Sequence, residues 1–152
     1  MMDEDTLTFG LTETQREMVM SVRRLAQQRF KDRWRQWQDG TFPWENMRDL
    51  AEIGVLSMSV PKAYGGLSMS VLDAALILEE IAKVCYVTAM AVLGEVGTQT
   101  WMIAHFVPEN IKRDILPRVA AGSAVLSICM TEPDAGTDLG RIRTKVTRDD
   151  NE

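Results

Sequence analysis

The densest grouping of positions able to do chemistry is Ile128-Cys129-Met130-Thr131-Glu132-Pro133-Asp134-Ala135-Gly136-Thr137-Asp138-Leu139. A strand ending at Thr131 would present a hydroxyl together with backbone N–H and C=O groups at an edge. Those groups suit the polar rim of a planar heterocycle, and Met130 adds a polarizable apolar contact. Pro133 prevents the strand from continuing in register, while Gly136 lets the backbone come close to a bulky ligand. Thr137 sets a hydroxyl beside backbone N–H groups, an arrangement suited to a phosphate oxygen. Met alone, such a loop is more often a hairpin with an Asp-rich turn and no ligand.

The other reactive side chains assemble less. Glu79 and Glu80 are adjacent on a predicted helix, so they point about 100° apart and cannot work as a carboxylate pair. Glu132 is committed to the turn. His105 is the only histidine, with no Cys near it, so a metal site is not expected and none is assigned. There is no G-x-G-x-x-G and no P-loop pattern. Cys85 and Cys129 allow one bridge at most, and each reads as a small apolar residue with a free thiol. No catalytic residue is assigned to this chain.

Composition bounds the function classes. In 152 residues, 17 Lys+Arg against 22 Asp+Glu leave a net charge of −5, which argues against a non-specific nucleic-acid binder. The 45% hydrophobic and 26% charged content is that of a globular domain and excludes a long disordered chain. The start, Met1-Met2-Asp3-Glu4-Asp5, is acidic where a targeting peptide would be basic, so a cytoplasmic location is expected. The longest nearly apolar run, 84–94, is about half the roughly 20 residues that cross a bilayer, so no transmembrane segment is expected.

The elements that must position the 128–139 segment are mostly helices. Thr12-Glu13-Thr14-Gln15 fits a capping box, and Met18, Val22, Leu25, Phe30, Trp34 and Trp37 follow as one apolar stripe, predicting a helix that ends near Asp39-Gly40. Pro43 opens a second helix through Met47, Leu50 and Ala51, and Gly54 stops it. Residues 55–61 read as extended, and Tyr64-Gly65-Gly66 as a turn. Ser70 with Asp73 caps a third helix whose inner face would be Leu72, Ala75, Leu76, Ile81 and Ala82. Residues 86–106 read as one or two helices interrupted near Gly94 and Gly97, where small residues would let another chain or a ligand approach the backbone closely. Pro108-Glu109 opens a last helix, closed by Ala120-Ala121-Gly122. Then the period changes: 124–131 and 141–148 read as strands, the second with one wet face.

In this order the motifs resemble the acyl-CoA dehydrogenase family. Residues 128–139 resemble its strand-and-loop signature T-E-P-x-A-G-S-D. Ile53-Gly54-Val55-Leu56 through Val60-Pro61 and Tyr64-Gly65-Gly66-Leu67 resembles its G-hydrophobic…P-x-x-Y-G-G segment. Leu78-Glu79-Glu80-Ile81-Ala82 resembles its E-E-hydrophobic-A helix, and Leu116-Pro117 with Gly122 the approach to the strand. The resemblance covers nearly the whole chain. Three departures stand out: Asp134 sits where Gly is common, Ile128 where an aromatic often covers the flavin, and Thr137 keeps the hydroxyl of the usual Ser.

The resemblance implies a mostly α fold: an acyl-CoA dehydrogenase-like N-terminal helical bundle over 1–122, followed over 123–152 by the first strands of an incomplete middle β domain. It implies FAD, contacted by Ile128, Cys129, Met130, Thr131, Gly136 and Thr137, with Thr137, Met90 and Gly94 also meeting the acyl-CoA substrate. Glu95 would at most neighbour the acyl pocket. The implied reaction is α,β-dehydrogenation of an acyl-CoA thioester, in which a carboxylate takes the α-proton and the β-hydrogen leaves as hydride to the flavin. The base would lie outside this chain, so the expectation is an N-terminal piece that is inactive alone. An electron acceptor such as an electron-transfer flavoprotein, and homo-oligomerisation at full length, are implied too. The competing readings are an acyl-CoA oxidase or flavin monooxygenase of the same fold, or a non-catalytic helical module binding acyl groups or a partner.

Overall fold

The computed structural model describes residues 10–147. Among them, five helical rods pack around two neighbouring apolar clusters. The first rod begins with the expected capping box. Thr12 Oγ1 accepts from the Gln15 N–H and the Gln15 side chain accepts from the Thr12 N–H, satisfying two donors that helix geometry leaves free. Helix α1 (Glu13–Leu25) runs on through a π-turn (Ala26–Phe30), the single turn α2 (Lys31–Arg33) and a 3-10 turn (Trp34–Trp37). Val22, Ala26 and Phe30 line its buried side, whereas Trp34 is exposed with the Arg35 guanidinium over its ring.

Helix α3 (Trp44–Glu52) is stopped by Gly54, which takes a left-handed φ of +81°. The extended segment expected next is instead a 3-10 turn at Val55–Ser57, a correction with a local cause. The Gly54 carbonyl accepts from both the Ser57 N–H at 3.1 Å and the Ser57 hydroxyl at 2.7 Å, which winds the chain up. After Pro61 a second 3-10 turn (Lys62–Tyr64) leads to Gly65-Gly66, and the chain folds back. The N–H groups of Leu67, Ser68 and Met69 donate to the carbonyls of Ser57, Val60 and Met58.

Helix α4 (Val71–Ala82) packs between α1 and α5 and carries the second expected capping box, Ser70 with Asp73. Its inner face differs from the expected one. Asp73, Ala74, Ile77, Glu80 and Ile81 are buried, while Leu72 is exposed. Two carboxylates can face inward because α1 supplies their partners: Gln15 Nε2 to Asp73 at 2.7 Å, and Arg23 Nε to Glu80 at 2.8 Å. Helix α5 (Tyr86–Gly94) passes through a π-turn (Glu95–Gln99) into α6 (Thr100–Phe106), and α7 (Glu109–Ala120) closes the bundle.

One cluster gathers Val22, Phe30, Met47, Leu50, Leu56, Ile77, Ile81 and Val92; the other joins Val60, Leu116 and Val119 to Leu126. A polar thread crosses the first. Asn46 Nδ2 donates to Thr88 Oγ1 at 2.8 Å, and Arg29 and Arg33 both bond Asp49. None of the helices among the described residues is long and apolar enough to cross a membrane.

The expected strands do not form among the described residues. Residues 124–131 and 142–147 have no ladder partner, and one isolated bridge joins Glu132 to Ala135. Strand composition favours extended backbone, but a strand exists only when a second one pairs with it. Arg148, the end of the second expected strand, and the acidic N-terminal run lie outside the described residues.

Candidate functional site

The α5–α6 rod bends at Gly97, whose φ of −94° and ψ of −112° are not helical. The Ser59 hydroxyl caps the bend by donating to the Val96 carbonyl. Beside it opens a groove of about 560 Å³, walled by Val71, Ala74 and Leu78 of α4 and by Leu93, Gly97 and Trp101 across from them. Its size and apolar walls suit a small organic ligand or the end of a long one. Met90 and Gly94 lie on the same rod but do not line the groove. Met90 is exposed, and the Gln99 side chain packs close to Gly94: a Cβ built there would meet it at 2.7 Å. A second cavity of about 500 Å³, between α1 and the 53–67 loop, holds no residue of the expected set.

Glu95 stands in the π-turn and is 2% exposed. One carboxylate oxygen accepts the Leu126 N–H at 2.7 Å; the other is buried without a hydrogen-bond partner. Burial pushes its carboxyl above the ordinary range, and the bond from Leu126 offsets only part of that. Four residues on, the Gln99 amide faces the Leu126 and Gly94 carbonyls; oriented with its nitrogen toward these acceptors, as the surrounding groups require, it donates to them at 3.2 and 2.8 Å.

Beyond Leu126 the chain crosses open surface. Ile128, Cys129, Met130 and Thr131 are exposed, as are Gly136 and Thr137, so the expected cofactor residues share one stretch of surface. Glu132 closes the loop that carries them. Its carboxylate accepts the N–H groups of Arg143 at 2.8 Å and Thr144 at 2.9 Å, and also the Thr144 hydroxyl. Those bonds, the Thr144 hydroxyl foremost, hold the Glu132 carboxyl below its ordinary range. Asp134 is turned toward Arg143, Nη1 to Oδ2 at 3.3 Å.

Sequence reasoning missed Gln99 and Ser59 and gave Glu95 too small a part. The available signal was a Glu and a Gln four residues apart, within a stretch otherwise made of small and apolar residues. Among the described residues, no group of three His, Cys, Asp or Glu could hold a metal ion.

Residues 12–123 match the acyl-CoA dehydrogenase N-terminal domain. The chain belongs to the acyl-CoA dehydrogenase family. Among curated acyl-CoA dehydrogenases it is 36% identical to cyclohex-1-ene-1-carbonyl-CoA dehydrogenase of Geobacter metallireducens, over 91% of this chain and 37% of that one. It is 31% identical to the mitochondrial isobutyryl-CoA dehydrogenase of Dictyostelium discoideum, over 93% of this chain and 34% of that one. A glutaryl-CoA dehydrogenase from Mycobacterium smegmatis, solved in complex with FADH2, superposes with a TM-score of 0.83 at 28% identity, covering 97% of this chain and 38% of that one. The chain thus spans about a third of the length of the curated relatives it matches.

The 127–137 segment offers backbone and hydroxyl groups of the kind that hold a flavin dinucleotide. From Ser127 to Thr131 no backbone N–H or C=O is engaged among the described residues. Gly136 would have open space around a Cβ, and the Thr137 hydroxyl is free to meet a ligand oxygen.

Proposed function

We propose that this chain is the helical part of an FAD-dependent acyl-CoA dehydrogenase, serving α,β-dehydrogenation of an acyl-CoA thioester. The observation that carries the reading is a run of unengaged backbone groups, 127–131, followed across the Glu132–Ala135 bridge by the exposed Thr137 hydroxyl, at the rim of a family-matched helical domain. FAD, when bound, accepts the hydride lost from the acyl β-carbon. The backbone groups of 128–131, including Ile128 and Cys129, with the Thr131 hydroxyl and the Met130 side chain, would hold the flavin. Gly136 would leave room for the dinucleotide, and the Thr137 hydroxyl would bind a phosphate oxygen and neighbour the acyl-CoA. The Leu93–Trp101 groove, flanked by Met90 and Gly94, takes the acyl tail and keeps water from it. No carboxylate of this chain is assigned as the proton-abstracting base: Glu79 and Lys83 pair at 2.7 Å, Glu80 pairs with Arg23 and Lys83, Glu132 holds its loop, and Glu95 is bonded to the Leu126 N–H. The partner such an enzyme would need is an electron acceptor, such as an electron-transfer flavoprotein.

The test is cofactor retention. Protein made from the complete reading frame and purified with FAD in the buffer should keep a flavin spectrum. Thr137→Ala should weaken FAD binding about tenfold, the loss of one hydrogen bond to a charged group. No retained flavin in the unmodified protein, with FAD supplied, defeats the reading.

A further inference from the structure

Between Ala124, whose N–H donates to the Arg118 carbonyl at 3.2 Å, and Glu132, paired with Ala135 at 2.9 Å, the backbone has a single fixed point among the described residues. That point is Leu126. Both of its backbone groups are taken by side chains of the π-turn, its N–H by Glu95 at 2.7 Å and its C=O by Gln99 at 3.2 Å. Two side chains four residues apart thus do what a neighbouring strand would do for one residue of a ladder. The Leu126 side chain packs with Val60, Leu116 and Val119, so register and burial agree. A slip by one residue would bring Val125 or Ser127 over Glu95 and turn every following side chain to the opposite face.

We propose that Glu95 and Gln99 are positioning residues, a two-point clamp that sets the register in which residues 128–131 are presented. That these residues meet a flavin rests on the function proposed above; the clamp itself does not. The buried carboxylate is costly to keep, with one oxygen unpartnered, and an apolar residue would serve helix packing better. The bond it makes to the Leu126 N–H is what it gives the fold.

The test is amide hydrogen exchange at Leu126, combined with FAD titration of protein made from the complete reading frame. Glu95→Ala should speed Leu126 exchange about ten- to a hundredfold, as expected for losing a bond to a charged acceptor, while the Val92 and Leu116 amides stay protected. Glu95→Gln keeps an acceptor oxygen and should restore protection. Gln99→Met, which spares the carboxylate, should raise exchange less and serves if Glu95→Ala does not fold. FAD affinity should follow the same order, with Glu95→Ala weakest and Glu95→Gln close to the unmodified protein. Unchanged Leu126 exchange in both Glu95→Ala and Gln99→Met overturns the clamp. Faster exchange with unchanged FAD affinity overturns its role in presenting 128–131. Absent FAD binding in unmodified protein whose Leu126 is protected overturns the flavin reading and leaves the clamp supported.

Discussion

Gly65 and Gly66 are neighbours in one turn, yet alanine at each should cost very different amounts. At Gly65, φ is +85° and a Cβ would meet nothing within 4 Å, so Gly65→Ala incurs only backbone strain, about 1–2 kcal/mol. At Gly66 a Cβ would lie 1.9 Å from the Val60 carbonyl oxygen, a backbone atom that cannot swing aside. The turn must then open. That breaks the Gly66 N–H bond to Pro61 at 3.2 Å, the Ser68 bond to Val60 at 3.1 Å and the Met69 bond to Met58 at 2.7 Å. Three backbone bonds at about 1 kcal/mol each, plus loosened packing of Val60 and Met58, put Gly66→Ala at about 4 kcal/mol. Because Ser59 and Met69 line the groove, the loss should reach the site as well. Urea unfolding of the two variants, compared at equal slope, gives the difference directly. A Gly66→Ala cost no greater than that of Gly65→Ala would refute the reasoning.

Two further outcomes follow. Glu95 keeps its proton to higher pH when folded than when unfolded, so the unmodified protein should lose stability as pH rises from the ordinary value of 4.5 through the folded one. Glu95→Gln lacks that loss, and its urea midpoint relative to the unmodified protein should climb across the same window; a constant difference would contradict the sign. Cys129 is exposed and Cys85 is 2% exposed, so a thiol reagent should label only Cys129 in the native protein, as read by mass spectrometry. FAD should slow that labelling, and equal rates with and without it would place the cofactor elsewhere.

Local signals in the sequence translated well into structure. Both capping boxes, Thr12 with Gln15 and Ser70 with Asp73, depend on residues three apart and form as read. Gly54 ends its helix because only a left-handed turn fits there. Apart from the 3-10 turn at Val55–Ser57, which has a local cause, the misreadings are tertiary. The periodicity puts Leu72, Ala75, Leu76, Ile81 and Ala82 on the inner face of α4, but Asp73 and Glu80 turn inward because their partners lie on α1, more than 50 positions away. Residues 124–131 carry strand composition, but composition cannot supply the partner strand. In the candidate site, the motif singles out 128–139, where the structure leaves Ile128 to Thr131, Gly136 and Thr137 exposed. The Glu95–Leu126 bond was not legible, since it joins positions 31 apart and leaves no periodic trace.

The central claim is that the groove and the 128–137 segment serve the dehydrogenation of an acyl-CoA. Its most direct test is anaerobic addition of short straight-chain, branched and cyclic acyl-CoA thioesters to flavin-loaded protein made from the complete reading frame. The predicted result is bleaching of the flavin band by at least one of them, with the matching enoyl-CoA recovered in equal amount. A flavin band that no thioester bleaches, in protein that dithionite reduces normally, would contradict the account.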